Sequence, residues 1–189
     1  MNMDKVQQQF EHGVADRFFE WFAQQGGPNY SFVRRAHEAP DLVYACNNLD
    51  LQVEITAAYY DGTHAEFLWK YARGAENPPI GWQGVGNPHK ALAQAIVDRV
   101  EAKCEKRYGL TTLLLIEVPP GLTSAEELAA LLTQKVFPSV IPFAGVYVAG
   151  RFPITSNSSG GYRVLPIKEL PANHSVERDV RKGGERRLT

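Results

Sequence analysis

Two acidic residues stand where neighbouring strands could bring their carboxylates together. Pro40-Asp41 opens one predicted strand, and Glu54 lies in the next, within an alternating run of apolar and polar residues. Asn47-Asn48 between them is a turn signal, so the two strands are expected to pair as a hairpin. Carboxylate oxygens are hard ligands, and two or three of them suffice for Mg²⁺, which keeps several waters. Asp41 and Glu54 are therefore candidate metal ligands.

A metal held by these two acids suits the hydrolysis of phosphodiester bonds. Water is a poor nucleophile, and negative charge builds on the phosphate as the bond breaks. A bound Mg²⁺ lowers the pKa of its water and neutralises this charge. The main-chain carbonyl of Ile55 is a further candidate ligand, and an acid of the first predicted helix could complete the site. Glu11, Asp16 and Glu20 are the candidates there, and Glu20 is favoured.

The elements that must position these acids predict an α/β protein. Apolar residues recur at helical spacing in one group of segments, and they alternate or run continuously in another. The first group predicts helices over residues 4–25, 65–71, 88–108 and from 123 or 124 to about 136. The second group predicts strands over residues 30–35, 41–46, 49–56, 110–118, 142–150 and 162–167. This order predicts an α/β sandwich around a mixed sheet.

The order of these elements and the placement of the acids resemble the PD-(D/E)xK phosphodiesterase superfamily, the restriction-endonuclease-like nucleases. The core of that family is helix, three strands, helix and strand, with Pro-Asp on the second strand and Asp/Glu-x-Lys on the third. The resemblance covers about residues 4–118, where Pro40, Asp41 and Glu54 match the motif and Thr56 stands at the lysine position. It implies a restriction-endonuclease-like sandwich, with a central mixed β-sheet flanked by helices.

The lysine missing at Thr56 matters because, in the family, it helps to activate water or steadies the pentacoordinate phosphate. A threonine hydroxyl can only form hydrogen bonds at neutral pH. Members of the family relocate a catalytic residue to a nearby element, and Lys90, Gln94 and Lys103 of the helix over 88–108 are candidates for this. The catalytic set implied by the resemblance is Asp41, Glu54, Thr56, Gln94 and Lys103.

The resemblance implies a Mg²⁺- or Mn²⁺-dependent nuclease that hydrolyses phosphodiester bonds of DNA, with RNA as the less favoured substrate. The implied metal ligands are Asp41, Glu54, the carbonyl of Ile55 and Glu20. Small nucleases of this type often pair to cut two strands, so a homodimer is compatible with the resemblance. The alternative is a catalytically inactive module on the same fold, which would bind a protein or nucleic-acid partner.

A purely structural interpretation of the same residues also stays open. Gln52, Glu54 and Thr56 share one face of an alternating strand, and such faces are commonly solvent surface. Asp41 is equally compatible with a role in a turn, because aspartate favours turn positions. The relative placement of the two carboxylates in the folded chain distinguishes these interpretations.

Composition and charge predict a single domain in a reducing compartment. The chain has 189 residues, of which 44% are apolar and 22% charged, and this suits one domain over residues 1–170. Residues 171–189 are polar and basic and are expected to be a disordered tail. No apolar run reaches the ~20 residues of a membrane span, and two cysteines are too few for a disulfide framework. A cytoplasmic location without a membrane partner is therefore expected, and the net charge of −1 counts against tight, unspecific binding of nucleic acid.

Overall fold

A computed structural model describes residues 3–36, 39–47, 49–72, 86–106, 108–121, 123–154 and 160–171. The predicted tail lies outside these residues apart from Pro171. Most of the Gly- and Pro-rich segment before the long predicted helix, residues 73–85, also lies outside them. In the described part, no helix is long and apolar enough to cross a membrane.

The helices and strands of the described chain follow one another in nearly the predicted order. The helices are α1 (Met3–Gln24), α2 (Gly62–Ala72), α3 (Pro88–Cys104) and α4 (Ala125–Leu132). The strands are β1 (Ser31–Arg35), β2 (Leu42–Cys46), β3 (Leu49–Ala57), β4 (Thr112–Val118), β5 (Gly145–Phe152) and β6 (Gly161–Lys168). Both α3 and α4 end about four residues earlier than predicted, because periodicity alone does not locate a helix end.

The strands within the described residues form one six-stranded sheet in the order β1-β2-β3-β4-β5-β6. The first three strands form an antiparallel meander. The pairs β3–β4 and β4–β5 are parallel, and β6 returns antiparallel to β5. Each parallel step is bridged by a helix, α3 for the first and α4 for the second, as parallel neighbours require. The prediction of an α/β protein with a mixed sheet flanked by helices is confirmed.

The sheet has an apolar core on each face. One core packs α1 against residues such as Val53 and Ile55 of β3. The other packs α3 and α4 against residues such as Leu114 and Ile116 of β4. Strand β4 is buried on both faces, which explains its almost continuous run of apolar residues. Full burial of one such side chain stabilises the fold by about 1.5–3 kcal/mol. Because side chains alternate along β3, Glu54 and Thr56 point to the α3 side, opposite to Val53 and Ile55.

The close pairing of β4 and β5 gives a test of this packing. Gly150 pairs with Val118, and a Cβ atom on Gly150 would lie 2.5 Å from the carbonyl oxygen of Val118. We expect Gly150→Ala to lower the free energy of unfolding by about 1–3 kcal/mol, because the crowded backbone must shift. The control is Gly62→Ala, where an added Cβ meets nothing within 4 Å. Urea denaturation of both variants measures the difference, and equal stability would contradict the register.

Candidate active site

Asp41 lies immediately before β2, at the end of the sheet where β3 continues past it. Leu42 pairs with Val53, so the register carried one residue further places Asp41 beside Glu54. The Oδ2 atom of Asp41 accepts a hydrogen bond of 2.8 Å from the main-chain N–H of Ile55. The strand next to it therefore fixes the carboxylate of Asp41, and the hairpin places the two predicted acids side by side.

Glu54 is a buried carboxylate with one paired and one unpaired oxygen. The residue is 3% exposed, and its Oε1 atom forms an ion pair with the ammonium group of Lys103 on α3. Its Oε2 atom is also buried and has no hydrogen-bond partner. A buried acceptor without a partner costs about 1–3 kcal/mol, so this oxygen favours a neighbouring donor or positive charge. The hydroxyl of Tyr108 is one such donor, and it lies close to the Glu54 carboxylate.

Helix α3 places the ammonium group of Lys103 beside the Glu54 carboxylate. The sequence determines where this helix begins and which of its faces packs on the sheet. Asn87 caps the helix by accepting a hydrogen bond of 3.1 Å from the N–H of Lys90, and Pro88 occupies the first turn. A buried stripe that includes Ile96 and Val100 packs on the sheet. Lys103 follows Val100 by three residues, so its side chain leaves the helix on the face that meets the sheet.

Glu11 is the acid of α1 that the structure brings to this site. It is buried, and its two oxygens accept hydrogen bonds from Arg35 of β1 at 2.6 Å and from Gln7 at 2.9 Å. Its negative charge contributes to raising the pKa of Asp41, which places it within electrostatic range of that carboxyl. We refer to Glu11, Asp41 and Glu54 as the acidic cluster. Asp41 lies within electrostatic range of both other acids, while Glu11 is paired with Arg35 and Glu54 with Lys103.

The charges of the cluster act on the carboxyl of Asp41. Burial, and then the charges of Glu54 and Glu11, raise the pKa of Asp41 to about 6. The N–H of Ile55 and the ammonium of Lys103 oppose this shift without cancelling it. A cation bound beside Asp41 would favour the ionised carboxylate and relieve the repulsion between the acids.

Tyr108 is a neighbour of the cluster that sequence reasoning missed. Its buried hydroxyl has no hydrogen-bond partner. Burial raises the pKa of this phenol above its ordinary value, and the adjacent Glu54 carboxylate raises it further, as a hydrogen-bond acceptor and as a charge. The hydroxyl therefore stays protonated at neutral pH and can donate to Glu54. It lies just after α3, and its position past the helix end gives no periodic pattern that could have indicated it.

Two predicted site residues lie away from the cluster. Glu20 is exposed and follows Glu11 by nine residues, about 13 Å along the helix axis and half a turn around it. Its charge acts on Tyr162 of β6 instead. Gln94 precedes Lys103 by the same nine residues, and it forms hydrogen bonds with Asp98 and with Lys135. The structure therefore does not bring Glu20 or Gln94 together with Asp41.

The remaining candidates from the sequence are Thr56, Asp16 and Lys90. Thr56 is half-buried on the same face of β3 as Glu54, two residues further along. Asp16 accepts a hydrogen bond of 2.6 Å from the hydroxyl of Tyr44. Lys90 lies in the first turn of α3, at the helix end opposite to Lys103.

The cluster offers oxygen ligands of the kind that Mg²⁺ prefers. Gln52 and Ala58 direct their N–H groups to β4, so odd-numbered residues of β3 direct theirs to the β2 side. The carbonyl of Ile55 therefore points to the same side as its N–H, where Asp41 lies. Within the residues that the structure describes, no three histidine, cysteine, aspartate or glutamate side chains converge as a ready-made metal site. The oxygen donors nearest to one another at this end of the sheet are the Asp41 and Glu54 carboxylates and the Ile55 carbonyl.

Comparison with known proteins finds no matching family model, no matching curated protein and no matching solved structure. The assignment of a function therefore depends on the residues and contacts described above. Among them, the convergence of the two predicted acids with a lysine from another element is the most specific.

A second buried carboxylate lies apart from this cluster. Glu117 of β4 accepts a hydrogen bond of 3.2 Å from Arg17 through Oε1, and its Oε2 atom is buried without a partner. Burial raises the pKa of Glu117 to about 7, because Arg17 compensates for only part of the desolvation. The carboxyl is therefore partly protonated at neutral pH.

The shift at Glu117 predicts a pH-dependent stability. The protonated form is favoured in the folded state, so wild type loses stability as pH rises from 4.5 through 7, by about 3 kcal/mol. We expect Glu117→Gln to remove this loss, since the amide keeps a hydrogen bond to Arg17 without the charge. Urea denaturation at pH 4.5 and pH 8 measures the effect, with Glu101→Gln on the exposed side of α3 as the control. A parallel pH dependence in wild type and Glu117→Gln would contradict the assignment.

Proposed function

We propose that this chain is a metal-dependent phosphodiesterase that hydrolyses nucleic acid, with DNA as its first candidate substrate. The observation that carries the proposal is the ion pair of Lys103 with Glu54, beside Asp41. The position of the motif lysine is occupied by Thr56, and the structure brings a lysine from α3 to the acid that this motif lysine would accompany.

The order of elements supports a restriction-endonuclease-like core for this proposal. Helix α1, the meander β1-β2-β3, helix α3 and the parallel strand β4 follow the order that the resemblance implies, with α2 inserted before α3. Asp41 lies immediately before the second strand, and Glu54 lies in the third. This agreement is topological, and it adds to the chemical argument from the side chains.

The proposed roles follow from the contacts. Asp41 and Glu54, with the carbonyl of Ile55, would hold Mg²⁺ or Mn²⁺, and Glu11 adds negative charge from α1. The bound ion would activate water and neutralise charge on the phosphate. Lys103 keeps an ammonium group at the edge of the acidic cluster, where it can donate a hydrogen bond to a phosphate oxygen as charge develops.

A non-catalytic module is the second candidate, and one observation favours it. Lys103 already neutralises Glu54, which reduces the attraction of this carboxylate for a metal ion. In that case the acidic cluster would serve the stability of the fold, and the chain would act by binding a protein or a nucleic acid. Metal binding separates this candidate from the enzyme.

Cleavage assays test the proposed roles directly. We expect Mg²⁺- or Mn²⁺-dependent cleavage of plasmid and single-stranded DNA by wild type, and its loss in Asp41→Asn. Lys103→Met should slow cleavage by about 10²–10³-fold, the usual effect of removing one donor that stabilises the transition state. Gln94→Ala is the matched control on the same helix, because its side chain contacts Asp98 and Lys135 instead of the cluster. Equal rates in wild type and Asp41→Asn would refute the enzyme.

Calorimetry with Mn²⁺ tests the metal site without requiring turnover. Wild type should release or absorb heat on titration with Mn²⁺, and Glu54→Gln should not, because the buried oxygen then carries no charge. Glu20→Gln is the control on α1 and should behave as wild type, since Glu20 lies on the opposite side of that helix from Glu11. A titration of wild type without heat at several temperatures would favour the non-catalytic module.

A further inference from the structure

A groove with both polar and apolar lining residues, Leu42 among the latter, runs between α1 and β1, next to Glu11. It encloses about 380 Å³. Its walls are formed by Lys5, Gln8, Gln9 and His12 from α1 and by Phe32 and Arg35 from β1. Arg35 is shared with the acidic cluster, because its guanidinium donates to Glu11. The groove therefore adjoins Glu11, and its residues Arg35 and Leu42 lie at the same end of the sheet as Asp41.

The helix wall of the groove is a stripe of hydrogen-bond donors. Lys5, Gln8, Gln9 and His12 follow the spacing i, i+3, i+4 and i+7, so they share one face of α1. The ammonium of Lys5 and the amides of Gln8 and Gln9 suit phosphate oxygens, which are commonly contacted by such side chains. The imidazole of His12 lies 3.4 Å from the carboxylate of Asp16 and is already paired. This stripe is polar, although it lies on a helix whose adjacent face is buried in the core.

A β-bulge in β1 makes Phe32 and Arg35 face the groove together. Phe32 pairs with Tyr44, whereas Arg34 pairs with Val43, so Val33 is an extra residue in β1. In a regular strand, residues three apart face opposite sides of the sheet. The extra residue shifts this alternation, and both Phe32 and Arg35 consequently face α1. The bulge thus places an aromatic ring and a guanidinium in the same groove.

The ring of Phe32 is only partly covered. It is 44% exposed, and it contacts His12 edge-on, with 4.5 Å between the ring centroids. Proteins that bind single nucleic-acid strands combine exposed aromatic rings with rows of polar or basic side chains. The rings stack on bases, and the polar or basic side chains contact the backbone. A base inside a duplex cannot present its face to such a ring.

We propose that the groove between α1 and β1 binds a single-stranded segment of nucleic acid at the end of the sheet where Asp41 lies. Phe32 stacks on an unpaired base, and Lys5 with its neighbours on α1 contacts the phosphates. This inference depends on the proposed function and specifies its substrate as a single strand. The groove itself needs no metal ion for binding, so it can be tested apart from cleavage.

Fluorescence anisotropy with a labelled oligo-dT, in the presence of EDTA, tests the role of Phe32. Phe32→Ala and Phe32→Leu should each weaken binding about tenfold, because neither side chain stacks on a base. Phe32→Trp should restore the affinity of wild type. Val136→Ala is the matched control, since Val136 is 86% exposed but lies after α4, outside the groove. Thermal melts of the same variants establish that they are folded.

Lys5→Gln tests the phosphate contact. It should lower the affinity and reduce the slope of log K against log salt by about 0.7, the value for one phosphate of a single strand. A duplex of the same length should bind about tenfold more weakly than the single strand, because it offers no base to Phe32.

The outcomes separate this inference from the proposed function. Three results would overturn the proposed role of the groove. They are equal affinity of wild type, Phe32→Ala and Phe32→Leu, a preference for the duplex, and no binding of oligo-dT by wild type. Cleavage that depends on Asp41 would then still stand. Conversely, binding that depends on Phe32, without cleavage in Mg²⁺ or Mn²⁺, would uphold the groove and refute hydrolysis.

Discussion

The buried ion pair between Lys103 and Glu54 is the contact on which the geometry of the candidate site depends. It fixes the last turn of α3 over β3, the strand that pairs with both β2 and β4. Removing one partner of such a pair would leave an uncompensated buried charge, which typically costs about 3–5 kcal/mol. The same contact therefore serves the fold and the site: it makes a carboxylate tolerable in the core and leaves one of its oxygens without a partner.

Much of this arrangement could be predicted from the sequence, because short-range patterns determine it. Alternation in β3 and the turn before it indicate that Asp41 and Glu54 lie side by side. The choice of the helix acid was less successful, since Glu20 was favoured and the structure brings Glu11 to the cluster. The spacing favours Glu11 over Glu20, because Glu11 precedes the buried Val14 by three residues and so lies on the apolar stripe of α1. An ionisable residue on an otherwise apolar stripe is therefore the better candidate for a residue of the site.

The same reasoning separates Lys103 from Gln94, because Lys103 continues the stripe that contains Val100, whereas Gln94 is exposed. Other features could not be predicted. The position of Tyr108 depends on where α3 ends, and helix ends are poorly determined by periodicity. The bulge at Val33 depends on how β1 pairs with β2, a contact between strands that local sequence does not encode.

The bulge in β1 has a consequence for how proteins of this kind can diverge. Strand β1 pairs with β2 alone in the described sheet, so an added or deleted residue there is absorbed at the sheet margin. The register of β2 on β3, and with it the spacing of Asp41 and Glu54, stays as it is. A change of length at the margin would thus rotate a new set of side chains toward α1 while the two carboxylates keep their spacing. The surface beside α1 and the pair of acids can therefore change independently of each other.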